Sequence, residues 1–221
     1  MRNYRGSDAP GEEGGNVHQF KLIGGQLCLD FANTADFYAI GGPRERLVSF
    51  GALVHWARQA GIVGPREEAA LRKIGAIRRR EATGLLSQAI ALREAIDHAL
   101  SALAHRREPP ARALESLNRM IAVAVAHARL ARQRDRFMWD WKRDLSRLDW
   151  ILWPIVWSAA EALTSDHLGR VRECASDDGC GWFFLDTSRN GSRRWCDMSH
   201  CGNRAKARRH YQRVRTQAAR A

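Results

Sequence analysis

Four of the five cysteines of this chain lie between residues 174 and 201, and they constrain its fold more than any other feature. Thiols this close can cross-link in pairs or converge on a metal. Five residues separate Cys174 from Cys180, fifteen separate Cys180 from Cys196, and four separate Cys196 from Cys201. Two cysteine pairs on two turns supply the tetrahedron of deprotonated sulfurs that zinc prefers. Structural disulfides and unrelated buried thiols are the alternatives. No apolar leader opens the chain and no run of about eighteen apolar residues occurs in it. The expected compartment is therefore a reducing cytoplasm without membrane attachment, where clustered cysteines bind metal more often than they pair. One zinc ion held by Cys174, Cys180, Cys196 and Cys201 is the expectation, with His200 as a substitute ligand if one sulfur does not reach. Four thiolates leave no open coordination position, and the chain has no His-Glu-x-x-His run, so the metal is read as structural. Losing one ligand, as in Cys201→Ser, is expected to unfold residues 174–201 and to spare the rest.

Between the cysteine pairs, Phe183, Phe184 and Leu185 read as a strand and Asn190-Gly191 as a tight turn. Ser192 to Trp195 is expected to return antiparallel and bring Cys196 beside Cys180. Trp182 and Trp195 are read as the small core of this module, with base stacking as the alternative. Cys28, far away in sequence, is read as a buried apolar residue.

After the last cysteine, Gly202 is expected to turn the chain and Asn203 to cap a helix beginning at Arg204. That helix carries Arg204, Lys206, Arg208, Arg209, Arg213 and Arg215, and its open N-terminus would suit a phosphate. Arg189, Arg193 and Arg194 on the hairpin extend the same basic surface. From Arg189 onward there are ten basic residues and one acid, Asp197, so +9 of the net +12 is concentrated there. A local cationic block points to a polyanion, with nucleic acid preferred over a membrane surface.

The larger part of the chain reads as helical. Leu47, Phe50, Val54 and Ala57 keep a helical period that Gly61 ends. Pro65 opens a second helix, with Glu67 and Glu68 in its first turn. Gly84 is expected to break the next long stretch, and Pro109-Pro110 to punctuate it before Leu114, Leu117, Ile121 and Val125. Phe137, Trp139 and Trp141 alternate, which suggests a hairpin turning near Arg134-Asp135. Pro154 interrupts an apolar stripe from Leu148 to Leu163, so a kink or a new segment is expected there. Trp150, Trp153 and Trp157 share a face that serves as core, pocket or homodimer interface. Leu27, Leu29 and Phe31 alternate with Cys28 and Asp30 and read as a strand. Asp30 and Asn33 then either bind a small molecule or tie down the following helix, the second reading being preferred.

The expected architecture is mainly α: a disordered start at 1–16 and a helical domain with a few short strands at 17–170. A zinc-ribbon-like β-hairpin module with its basic helix follows at 171–217. At this point the residues become recognisable. Trp182-Phe-Phe-Leu-Asp-Thr-Ser-Arg-Asn190, Arg194-Trp-Cys196 and Cys201-Gly-Asn-Arg-Ala-Lys-Ala-Arg-Arg-His210 resemble the CGNR zinc-finger domain. Leu27-Cys-Leu-Asp-Phe-Ala-Asn-Thr34 and the helices after it resemble the ABATE domain that precedes it. The loop Ala175–Gly179 is one residue longer than the commoner form. The resemblance implies a bacterial stress-induced transcription regulator, with an RNA-binding role also suggested for such proteins.

A DNA-binding regulator whose helical domain senses a ligand or dimerises is the leading expectation. An RNA-binding protein and a module docking an acidic protein partner are the alternatives. No nucleophile–base pair or phosphate loop stands out, so no catalytic residues and no enzyme activity are expected.

Overall fold

The computed structural model describes residues 19–36, 44–176 and 179–218. The expected disordered start, 1–16, lies outside the described residues. The described elements are mainly helices accompanied by three separate two-stranded antiparallel sheets.

The core is assembled around a short helix, α1 (Leu27–Ala32), where the alternation of residues suggested a strand. Cys28, Leu29 and Phe31 are fully buried, and so are Asp30, Asn33 and Thr34. A helix enclosed on every side has no solvent face, so its sequence loses the 3.6-residue period that would have identified it. The chain enters α1 through Gly24, where a Cβ would lie 2.7 Å from the Leu29 Cβ, and through Gly25 at φ +83°. Both positions require glycine: one for close approach, the other for a left-handed backbone.

Strands β1 (Ala35–Asp36) and β2 (Arg44–Glu45) pair after the far end of α1. Helix α2 (Phe50–Gln59) starts at Ser49, whose hydroxyl accepts the Ala52 N–H, and its Trp56 packs 4.9 Å from the Phe31 ring. Helix α3 (Pro65–Ile77) has proline in its first turn and Glu67 reaching back to the Gly64 N–H. Helix α4 (Arg79–Ala104) is the long spine of the domain. It runs through Gly84 without a break, because a glycine facing open space costs only about 1 kcal/mol in a helix interior. The interruption falls instead at Arg78, between α3 and α4, where ψ is 55°. Arg93 of α4 is buried and bonded through both terminal nitrogens to Glu45, each at 2.6 Å, which ties β2 to the spine.

Pro110 precedes α5 (Ala111–Ala126), and strands β3 (Ala128–Gln133) and β4 (Arg136–Trp141) form the expected hairpin. Arg134 takes the positive φ that the turn needs. Pro154 begins a segment rather than kinking one: a 3₁₀ turn at Asp149–Ile151 gives way to α6 (Trp153–Thr164), with proline in the first turn. Trp150 and Trp153 are core residues, while the Trp157 ring packs tilted against Trp139, centroids 5.0 Å apart. Two members of the stripe are thus core, and the third, Trp157, is half-buried.

The last sheet differs from expectation. Strand β6 (Phe183–Leu185) pairs with β5 (Val171–Glu173), not with residues 192–195. The cause is Asp186, fully buried, whose carboxylate accepts the N–H groups of Ser188 and Arg193 and the Ser188 hydroxyl. That local capture folds the chain over Gly191 at φ +60° and sends the return segment past β5, where Ala175 N–H donates to Arg194 O at 2.8 Å. The module ends in a π-helical turn, Met198–Gly202, that continues without a bend into α7 (Asn203–Ala218).

Candidate metal centre and basic helix

The four cysteines converge. One sulfur from each of Cys174, Cys180, Cys196 and Cys201 lies within 4.8 Å of the others. Cys180 and Cys196 are 3.6 Å apart, and Cys196 and Cys201 are 3.7 Å apart. Four sulfurs about 2.3 Å from one zinc ion sit about 3.8 Å from each other in a tetrahedron, so the donor set fits. The sulfurs also receive donors: the Cys196 N–H points at Cys174 Sγ at 3.4 Å, and the Arg204 guanidinium at Cys201 Sγ at 3.6 Å. Such bonds hold thiolates in orientation around a cation.

Protonation in this cluster runs the same way. Hydrogen bonds from the Cys180 and Cys196 thiols pull Cys174 down to about 2, whereas its hydrogen bond with Cys174 pushes Cys180 up to about 12. Cys196 is pushed up as well, first by its hydrogen bond with Cys174. Four neighbouring sulfurs cannot all ionise unaided; a dication at their centre makes that possible. His200 is exposed and all four positions are met by sulfur. Cys28 is a different case, its thiol pushed up to about 12 chiefly by burial, in keeping with a packing role.

Ile23, Trp182 and Trp195 pack around the buried Phe184 and the cysteines. Phe183, the neighbouring residue, points the other way and belongs to the main helical core. The strand β6 is therefore shared: its alternate side chains close two cores at once.

Asp30 and Asn33 serve this junction. Asp30 Oδ1 accepts the Gly24 N–H at 2.8 Å. Asn33 Nδ2 donates to Phe183 O at 2.9 Å, and Asn33 Oδ1 accepts the Phe183 N–H at 2.8 Å. A side-chain amide thus replaces a neighbouring strand along β6, and the Leu185 N–H continues the pattern to Gly24 O at 2.8 Å. Asn33 does not cap a following helix.

The basic residues divide into two groups. Arg193 is committed inside the module: its guanidinium donates to Trp195 O at 2.9 Å and to Cys196 O, and lies 4.4 Å from the Phe184 ring centre. Arg189, Arg194, Arg204, Lys206, Arg208, Arg209, Arg213 and Arg215 are exposed. Arg194 and Arg209 both approach the Trp195 ring, at 5.5 and 5.9 Å.

Asn203 is not the cap of α7. It has helical backbone angles and donates to Ser199 O at 3.0 Å; the cap is Asp197, which accepts the N–H groups of Ser199 and His200. Gly202 has no positive φ and is instead packed on Met198, whose sulfur a Cβ would meet at 2.5 Å. The acidic cap occupies the helix start that had suggested a phosphate site, so the charge of α7 is offered along its sides.

Two family models match the chain. Residues 170–214 match the CGNR zinc finger, which together with the sulfur geometry assigns one structural zinc. A comparison with curated proteins returns no match. Neither matched family is an enzyme family, and no helix among the described residues is long and apolar enough to cross a membrane. Residues 25–166, over half the chain, match ABATE, described as a putative stress-induced transcription regulator, and the chain belongs to that family.

Proposed function

We propose that this chain is a zinc-dependent nucleic-acid-binding protein, a bacterial DNA-binding transcription regulator acting in the cytoplasm. The observation that carries the reading is α7. It has sixteen residues, six of them Lys or Arg and none acidic, and no buried side chain. An isolated helix of this length is marginal in water, and like charges at i,i+4 weaken it further. The zinc site fixes its first turn, and a polyanion is the partner that relieves its charge. At about 1.5 Å per residue the helix is about 24 Å long, a length that lies well in a DNA major groove.

Arg204, Lys206, Arg208, Arg209, Arg213 and Arg215 are the proposed contacts, joined by Arg189 and Arg194 from the loop below. Arg193 holds the fold of the module and Asn203 the start of the helix. Binding to a mixed-sequence DNA duplex should weaken linearly in log–log form as salt rises, because neutralised phosphates release counterions. Arg208→Ala and Arg213→Ala should each lower affinity and make that slope shallower by about one unit. Absence of binding to duplex DNA and to RNA at low salt would end the reading.

A second reading, RNA, is favoured by Trp195 flanked by the guanidiniums of Arg194 and Arg209, an arrangement suited to stacking an unpaired base. Competition between duplex DNA and single-stranded RNA for the labelled protein separates the two. The helical domain is proposed to control this surface by sensing a ligand, a role that Asp30 and Asn33, both engaged in the junction, leave to other residues.

A further inference from the structure

A cavity of about 670 Å³ opens between the β3–β4 hairpin, the end of α2, the face of α6 and the entry to α1. Its volume is that of sites that hold small organic molecules. Met138, Trp139 and Trp141 form one wall, with Leu27, Ile62 and Pro154 opposite or beside them. Four charged side chains reach it, Arg132, Asp140, Arg143 and Glu161, two of each sign. These charges are engaged by the protein itself. Asp140 is bonded by Arg129 at 2.7 Å, Arg143 donates to Glu67 at 2.8 Å, and Glu161 accepts the Trp157 indole N–H at 2.8 Å. The Arg132 Nε donates to Arg134 O at 3.1 Å. The cavity thus presents aromatic surface and no net charge.

Its polar lining includes an acceptor without a partner. Ala60 and Gly61, where α2 ends, lie on the wall; the Trp56, Ala57 and Arg58 carbonyls there are bonded by the N–H groups of Ala60, Gly61, Ile62 and Val63, which leaves the partial negative charge of the helix end. Gln26, also on the wall, has a side-chain oxygen that is buried without any partner. A buried acceptor left unbonded costs stability, and rotation of a terminal amide is soft enough to turn it toward an arriving donor.

The floor of the cavity is the segment that carries the zinc module. Gly25, Gln26 and Leu27 line it, and the residues on either side bind β6: Gly24 O accepts from Leu185, and Asn33 pairs with Phe183. Ser158, from α6 on the wall, receives the Cys28 N–H at 3.1 Å. A molecule pressing on this floor therefore acts on the support of the metal centre.

We propose that this cavity binds a neutral aromatic molecule bearing an N–H donor, and that its occupancy is transmitted to the zinc module through residues 24–33. The proposal deepens the ligand-sensing reading by giving it a place and a chemical class. Every readout below is independent of nucleic acid, so it stands or falls separately from the role of α7.

N-phenyl-1-naphthylamine has the required chemistry and brightens in apolar surroundings. It is expected to bind the full zinc-loaded chain saturably, with one site per chain. Ala131→Trp, on an exposed hairpin where an aromatic residue favours strand structure, should fill the cavity and weaken binding by about tenfold or more. The control is the double variant Leu130→Ser and Phe137→Ser, which removes two exposed apolar side chains of the hairpin that do not line the cavity. It should bind like the parent. Loss of binding in the control but not in Ala131→Trp, or no saturable binding by the parent, would overturn the site. Both variants are to be compared at equal zinc content and melting temperature. Amide hydrogen exchange supplies the second half: occupancy should slow exchange at Phe183 and Leu185 by about tenfold. Saturated binding with unchanged exchange at those two amides would overturn the transmission.

Discussion

Asn33 shows how one side chain can hold a strand in place. Its amide offers a donor and an acceptor in the spacing of a backbone peptide, and β6 uses both. Asn33→Asp keeps the shape but loses the donor and sets an oxygen against Phe183 O. It is expected to cost about 2–3 kcal/mol in urea unfolding, with the loss centred on the β6 amides in hydrogen exchange. Asp97 makes a second prediction. Burial, reinforced by Glu173 and opposed by His98 and Arg93, pushes its carboxyl from 3.8 up to about 6. The folded chain therefore favours the protonated form: the stability this adds is complete below 3.8 and is lost as pH rises through about 6. Asp97→Asn mimics the neutral acid. It should gain about 1–2 kcal/mol over the parent near pH 7.5, with solvent screening allowed for, and nothing below about pH 4. Urea melts at the two pH values check the sign. The carboxyl of Glu45 behaves oppositely. Burial raises it, but hydrogen bonds from Arg93 and then from the Leu47 N–H outweigh that and leave it below its ordinary range.

Among the elements, α7 is the one whose stability depends on what lies outside the chain. Its far end has Tyr211 at 69 % and Val214 at 48 % exposure among the described residues. Circular dichroism should show helicity rising when a DNA duplex is added at low salt and falling back when salt is restored. A chain ending at Gly202 should keep its zinc, because all four ligands precede the cut, and lose duplex binding. The elements also show what was legible beforehand. Helices α2 to α5 were legible through period, caps and prolines, since each keeps a solvent face, although the break between α3 and α4 falls at Arg78 and not at Gly84. Helix α1 did not, because it has none, and alternating Leu27, Leu29 and Phe31 imitated a strand. The ligand cysteines were legible from their clustering, the expected reducing compartment and the expected hairpin together. The partner of β6 was hidden, because Asp186 redirects the chain through contacts that no local pattern encodes. Nor could spacing reveal that Arg193 is held by the carbonyls of Trp195 and Cys196. The cavity beside α1 escaped notice for a related reason: its walls come from four elements distant in sequence, and each lining residue is ordinary on its own.

For the whole molecule, the main revision concerns independence. Residues 174–201 read as a module that could unfold alone, yet Phe183 is buried in the helical core and β6 is bonded to Gly24 and Asn33. Chelating the zinc, or replacing Cys201 with Ser, should therefore lower the melting temperature of the helical domain as well as release the module. For a chain of this size, a loss of about 2 kcal/mol corresponds to roughly 4–8 °C. Helical signal followed through a thermal scan, with and without chelator, measures it.

The amide of Asn33 meets its partner across 150 residues of chain. During synthesis the helices from α1 onward must therefore wait, with α1 half covered, until Phe183 has emerged. Completion of the helical core then depends on the arrival of zinc. In a cell short of the metal, unfinished chains would present that open seam to proteases, so zinc scarcity is expected to lower the number of molecules before it alters what any one of them binds. A pulse-chase comparison of lifetime in zinc-replete and zinc-starved cells reads this directly.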